Sequence, residues 1–225
     1  STSTVKDDHI RVPVAIDARV DLGQGFVPAV VVDLSLAGAL VRPRQGKTPD
    51  SLPMGSSVAL DIDGIGTLPT RALMPAAGAL HVQFLQTPEA VSHRIRDMVQ
   101  ATSARDKEMG TLCQDAAGRI TQAFTAAIRS GRISKAALFD QRYQEIAGTN
   151  PKQFTTAFTT LADALLPPIQ EEALTRAPGV ILCAAVDRNG YLPTHNRIYS
   201  KPQGSDPVWN AANCRNRRIF NDRAG

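Results

Sequence analysis

At 225 residues and 43% hydrophobic content, the chain is long enough for one large domain or two small ones with packed cores. Aromatics make up 5%, with Trp209 the single tryptophan, which excludes a stacking platform for single-stranded nucleic acid. The net charge of +4 is concentrated after residue 178, where seven Lys/Arg face three Asp/Glu; it reads as a solvated basic tail, and nucleic acid is not an expected partner.

No run approaches the roughly 18 apolar residues of a membrane span, and the opening STSTVKDDH has no basic start leading into an apolar core. The stretch is therefore expected to make no membrane contact and to carry no export signal. Cys113, Cys183 and Cys214 are odd in number, widely spaced and without a CxxC, which fits a reducing compartment and predicts a cytoplasmic location.

From Arg11 to Val99, short apolar alternations are broken by Gly and Pro: RVPVAIDARV, AVVVDLSLAGALVRP, SVALDIDGIGTLPTRALM and GALHVQFL. Runs of this kind predict an antiparallel barrel or sandwich. In the first, Val14, Ile16, Ala18 and Val20 fall on one face at period two, with Asp17 and Arg19 on the other. After Pro88, Val91, Ile95, Met98 and Val99 share a helical face, as in a helix closing a small barrel.

From about Ser103 the pattern turns helical. Leu112, Ala116, Ile120, Phe124 and Ile128 predict one helix stopping at Gly131, and Ser134 is the expected N-cap of a second over ISKAALFDQRY. A third is expected to carry Phe154, Phe158, Leu161, Leu165 and Ile169, with Pro167 and Pro168 kinking or restarting it. GVILCAAV and YLPTHNRIYS, joined at Asp187 to Gly190, predict a hairpin around Asn189-Gly190. Such a hairpin must pack on the helices or continue in further strands, so the unit is expected to be truncated at its C-terminus.

The run Asp33-Leu34-Ser35-Leu36-Ala37-Gly38 resembles the DxSxxG signature of PilZ domains, receptors for the bacterial second messenger cyclic di-GMP. The residue chemistry fits. An aspartate and a serine two apart on one strand face can exchange hydrogen bonds with a guanine edge, and Gly38 lets the backbone approach closely. The family's second motif, RxxxR, precedes its first strand; Arg11 matches the second arginine, whereas Asp7 stands where the first would be. The resemblance implies a six-stranded barrel and a cyclic di-GMP site of Arg11, Asp33, Ser35 and Gly38. The alternative is a degenerate PilZ domain that binds no nucleotide and serves as a protein-interaction scaffold.

The second stretch, DRNGYLPTHN from Asp187 through CRNRRIFND ending at Asp222, is similar to the C-terminal sensory region of bacterial methyl-accepting chemotaxis proteins over roughly residues 115 to 225. There a helical lead-in precedes a Cache- or PAS-like sheet. The resemblance implies chemotaxis signalling proteins as partners through the parent chain. Odd positions of a strand starting at Tyr191 share one face, and Tyr191, His195, Asn196 and Arg215 are the expected sensory pocket, with a small anionic metabolite as ligand. His195 with Cys214 is a minority option for a metal or haem; no cofactor is otherwise expected. A homodimer is compatible with this reading.

No GxSxG, HExxH, GxGxxG or Walker loop occurs, and Asp61-Ile62-Asp63-Gly64 lacks the later carboxylates of a calcium loop, so no enzyme is expected. The predicted class is α+β: a PilZ-like barrel at residues 5–101, then a helical and Cache/PAS-like unit at 103–225. The expected function is signal sensing in a chemotaxis transducer.

Overall fold

The computed structural model describes residues 10–45 and 49–221. It divides into two compact units, Ser1–Lys107 and Glu108–Gly225.

In the first unit, six strands close into an antiparallel barrel: β1 Val12–Asp21, β2 Phe26–Leu34, β3 Gly38–Pro43, β4 Ser57–Ile62, β5 Gly66–Ala76 and β6 Ala79–Phe84, in the order β1-β2-β3-β6-β5-β4. The two longest sequence runs thus each supply two strands. Period-two patterning sets the register. In β1, Val12, Ala18 and Val20 are buried while Pro13, Ala15, Asp17 and Arg19 point outward. The inward residues, with Val31, Leu34, Val41, Leu60, Ile62, Leu68, Leu80 and Val82, make one core. Closure leaves no free edge. Helix α1, Glu89–Arg129, starts after Pro88 and adds Ile95 and Val99 to the barrel core, as the apolar spacing anticipates.

The closing helix and the next helical segment are one element of 41 residues. Between Gln100 and Gly110 there is neither Pro nor a backbone stop, and the change of unit at Lys107 falls inside the helix.

In the second unit α1 ends as anticipated, with Gly131 at φ +74°. Ser134 caps α2, Lys135–Leu138, through a 3.1 Å bond from the Ala137 N–H. Phe154 lies in a strand and not in the third helix: β7 Gln144–Glu145 pairs with β8 Phe154–Thr155, and α3, Thr159–Arg176, begins afterwards. Helix α3 continues through Pro167 and Pro168. Its buried face includes Ile169, and Ala162, Leu166 and Ala173 pack into the unit's core clusters, so tertiary burial outweighs the missing proline donors. The pairs Arg119–Glu172 (2.7 Å) and Arg176–Asp115 link α3 to α1.

The expected hairpin is replaced by a longer-range pairing. Asp187 to Gly190 does form a turn, with Gly190 at φ +79° and a 3.0 Å bond from its N–H to the Asp187 carbonyl. However, β9 Tyr191–Leu192 pairs with β10 Arg218–Ile219, and Val180 to Val186 lies in no strand. A Cβ on Gly190 would sit 2.1 Å from the Phe220 carbonyl oxygen, so this glycine admits the distant strand. The sheets of this unit are two-stranded and two residues long, and no Cache- or PAS-like sheet is formed among the described residues. Helix α4, Pro207–Asn213, is capped by Asp206.

Candidate functional site

The first candidate site lies where β1 begins and β2 ends. Antiparallel register pairs Val12 with Leu34 and Pro13 with Asp33, bringing the preceding Arg11 to Asp33; Arg11 Nη1 is 3.1 Å from Asp33 Oδ1. The side chains keep 42% and 29% of their exposure, so the pair is worth about 1 kcal/mol or less and opens readily to a stronger partner.

Ser35 lies off the strand face on which the sequence pattern placed it, whereas Gly38 does permit a close backbone approach. Strand β2 ends at Leu34, so Ser35 does not share a strand face with Asp33. Its side chain is buried and turned into the β2–β3 connection, where the hydroxyl donates to the Gly38 carbonyl (3.1 Å) and accepts from the Gly38 N–H (3.2 Å). Gly38 is needed for close approach, as a Cβ would stand 2.1 Å from the Val82 carbonyl oxygen on β6. Within the signature, Ser35 and Gly38 build the turn, and Asp33 beside Arg11 is left facing solvent.

A groove of about 260 Å³ adjoins this edge. Ile10 and Leu36, neighbours of Arg11 and Ser35, form one wall. Arg96, Gln100, Ser103 and Lys107 form the other, spaced i, i+4, i+7, i+11 on one stripe of α1. Sequence reading passed over Arg96 and Lys107; the signal was a polar stripe flanking the Ile95/Val99 face. Asp7 lies outside the described residues.

The second unit redistributes the expected sensory residues. Tyr191 is wholly buried, its hydroxyl 2.9 Å from the Phe154 carbonyl and 2.8 Å from Thr159 Oγ1, and its ring packs on Tyr143 and Phe158. Asn196 is also buried: its amide donates to the Gln170 carbonyl and its oxygen accepts from the Cys183 N–H at 2.8 Å. His195 accepts the Asn196 N–H on Nδ1 at 2.7 Å and packs against Tyr199, over which Arg215 is stacked. Burial, then the nearby Arg215 charge, push the His195 imidazole below its usual pKa, so it is held neutral. Tyr191 and His195 thus belong to separate hydrogen-bond networks, while His195, Asn196 and Arg215 are neighbours through the His195 ring and Tyr199.

Cys214 is buried, with Sγ 3.4 Å from the Pro202 carbonyl, and no group of three or more His, Cys, Asp or Glu suited to a metal occurs among the described residues. The buried side-chain amide of Gln170, together with Arg215 Nε and Arg217 Nε, lacks a hydrogen-bond partner among the described residues.

A separate groove lies in the same unit. It has a volume of about 540 Å³ and is floored by Ile120, Phe124 and Ile128 of α1 with Leu138, Phe158 and Leu166, and rimmed by Lys135, Asp140, Asp187 and Arg188. No helix among the described residues is long and apolar enough to cross a membrane.

No family model and no curated protein matches the sequence. Similar solved structures include the PilZ domain of CeSA from a cellulose-synthesizing bacterium, at 24% identity over 41% of this chain and 96% of that one, with a TM-score of 0.33. The PilZ domain of Escherichia coli YcgR with c-di-GMP is 14% identical over 45% of this chain and 95% of that one, with a TM-score of 0.34. The Bacillus subtilis inhibitor of motility MotI/DgrA is 12% identical over 43% of this chain and half of that one, with a TM-score of 0.35.

Proposed function

We propose that the first unit is a PilZ-type receptor module that binds cyclic di-GMP at the β1–β2 edge and acts by binding, not catalysis. The observation that carries this reading is the Arg11–Asp33 pair, held at the surface beside a turn built by Ser35 and Gly38. On binding, Arg11 exchanges Asp33 for a ligand phosphate, a stronger charge-assisted fork, and the freed carboxylate accepts from the guanine N–H groups. Arg96 and Lys107 line the adjoining groove and supply positive charge that Asp7 withholds. The resemblance of residues 187 to 222 to chemotaxis transducers supports a signalling parent chain as the context. Ser35 and Gly38 act in this reading as turn builders, not ligand contacts.

Isothermal titration with cyclic di-GMP tests it. Weak, stoichiometric binding is expected, lost by about tenfold or more in Arg11→Ala and Asp33→Ala and tightened in Asp7→Arg. A second reading, a scaffold with a degenerate PilZ barrel, is favoured by the same ion pair being satisfied internally and by the carboxylate of Asp7. No heat of binding up to about millimolar ligand, a Kd weaker than roughly −4 kcal/mol of binding free energy, would establish it.

A further inference from the structure

We infer that the 540 Å³ groove of the second unit binds an amphipathic carboxylate, with Lys135 and Arg188 holding its head and the α1–α3 core flooring its body. The volume is that of a small-molecule site, and a floor of Phe124, Ile128, Leu138, Phe158 and Leu166 demands an apolar body. The rim decides the sign of the head group.

Four charged side chains stand at the rim, and the two acids are already spent. Asp140 accepts from Arg142 Nε at 2.8 Å, from the Arg142 N–H and from the Ala157 N–H. These bonds bring its pKa down to about 2, so it is ionised and saturated. Asp187 accepts from the Tyr143 hydroxyl at 2.5 Å on one oxygen and from the Asn189 and Tyr191 N–H groups on the other. Lys135 and Arg188, by contrast, make no ion pair or side-chain hydrogen bond among the described residues. The groove therefore offers two uncommitted cations above an apolar floor. A carboxylate supplies the acceptor oxygens that these two donors lack.

The groove adjoins Tyr191, whose N–H bonds rim Asp187 and whose ring packs on Phe158, and it is independent of the nucleotide reading of the barrel. It also makes use of the chain at Ala185 to Arg188, which lines the groove without being in a strand.

The test uses the full chain and two matched probes, 4-phenylbutyrate and 4-phenyl-1-butanol, followed by calorimetry and by chemical-shift changes at the methyl groups of Ile120, Ile128 and Leu138. The acid is expected to bind saturably at one site per chain, and the alcohol about tenfold more weakly or less well still. Lys135→Ala and Arg188→Ala should each weaken the acid by roughly tenfold without changing the circular dichroism, since both side chains are exposed. Equal affinity for acid and alcohol would overturn the proposal, as would binding indifferent to both substitutions. Failure of the acid to bind at about 10 mM, or a solution mass showing the groove covered by a second copy, would overturn it too.

Discussion

The two units solve the same problem with different means. In the barrel the strands pair in one closed ladder, and the inward side chains fill its core. In the second unit the sheets are two residues long, and buried side chains take over the work of the backbone. Asn196 ties Cys183 to Gln170, Asn210 ties Gly204 to Asn150, Gln153 reaches Asn216, and Tyr191 bridges Phe154 and Thr159. A fold held by alternation tolerates substitution of any one outward residue, whereas a fold held by side-chain to backbone bonds is vulnerable at single polar positions.

That difference is sharpest at two glycines. Gly190→Ala and Gly38→Ala would each place a Cβ 2.1 Å from a carbonyl oxygen, but Gly190 also sits at φ +79°. Gly190→Ala is expected to cost about 3 kcal/mol or more and Gly38→Ala about 2 kcal/mol. Urea unfolding followed by Trp209 fluorescence reads the first, and hydrogen exchange in β3 and β6 reads the second. If Gly38→Ala proved the costlier, the barrel would be the more brittle unit and the contrast would fail.

Asn196→Ala should destabilise the second unit by about 2 to 3 kcal/mol, because it orphans the buried Gln170 carbonyl and the Cys183 N–H. Loss of a ligand response without loss of stability would instead return Asn196 to a sensory role. Tyr191→Phe removes one hydroxyl with two partners, and a loss of about 1 kcal/mol is expected in the same urea assay.

The smallest effect is expected from pH. His195 is held neutral in the folded protein by burial and Arg215, with Glu171 opposing weakly, so its folded pKa lies below the ordinary 6.5. Below pH 6.5 the unfolded chain takes up a proton that the folded one refuses. Its stabilising contribution is present above that pH and is lost as pH falls through the folded pKa. The urea midpoint of the second unit should decline between pH 7 and 5, and His195→Gln should flatten that decline. A midpoint rising on acidification would mean the imidazole is charged in the fold.

Much of the barrel was legible because Val14, Ile16, Ala18 and Val20 repeat with the pleat, and because Ile95 and Val99 fit a helical face. Neither the ion pair of Asp33 with Arg11 nor the inward turn of Ser35 was foreseen: both depend on the β1–β2 register and on where β2 ends, which alternation alone does not mark. In the second unit, Asn189-Gly190 signalled a turn and the turn is there. Its continuation into a local hairpin was misread, since Gly190 admits a backbone thirty residues away at Phe220. The 540 Å³ groove was invisible because its walls come from α1, α2, α3 and the chain at Ala185 to Arg188, segments with no shared period.

What the amino-acid order determined by itself was therefore a set of features carried by local repetition or local chemistry: the barrel strands, the barrel-closing helix, the Ser134 cap and the turn at Asp187. Tertiary structure decided which carboxylates are spent, which cations are uncommitted and which strand Tyr191 joins. Those outcomes depend on distances between residues far apart in the chain, and such distances are set by packing the whole and not by any window of the sequence.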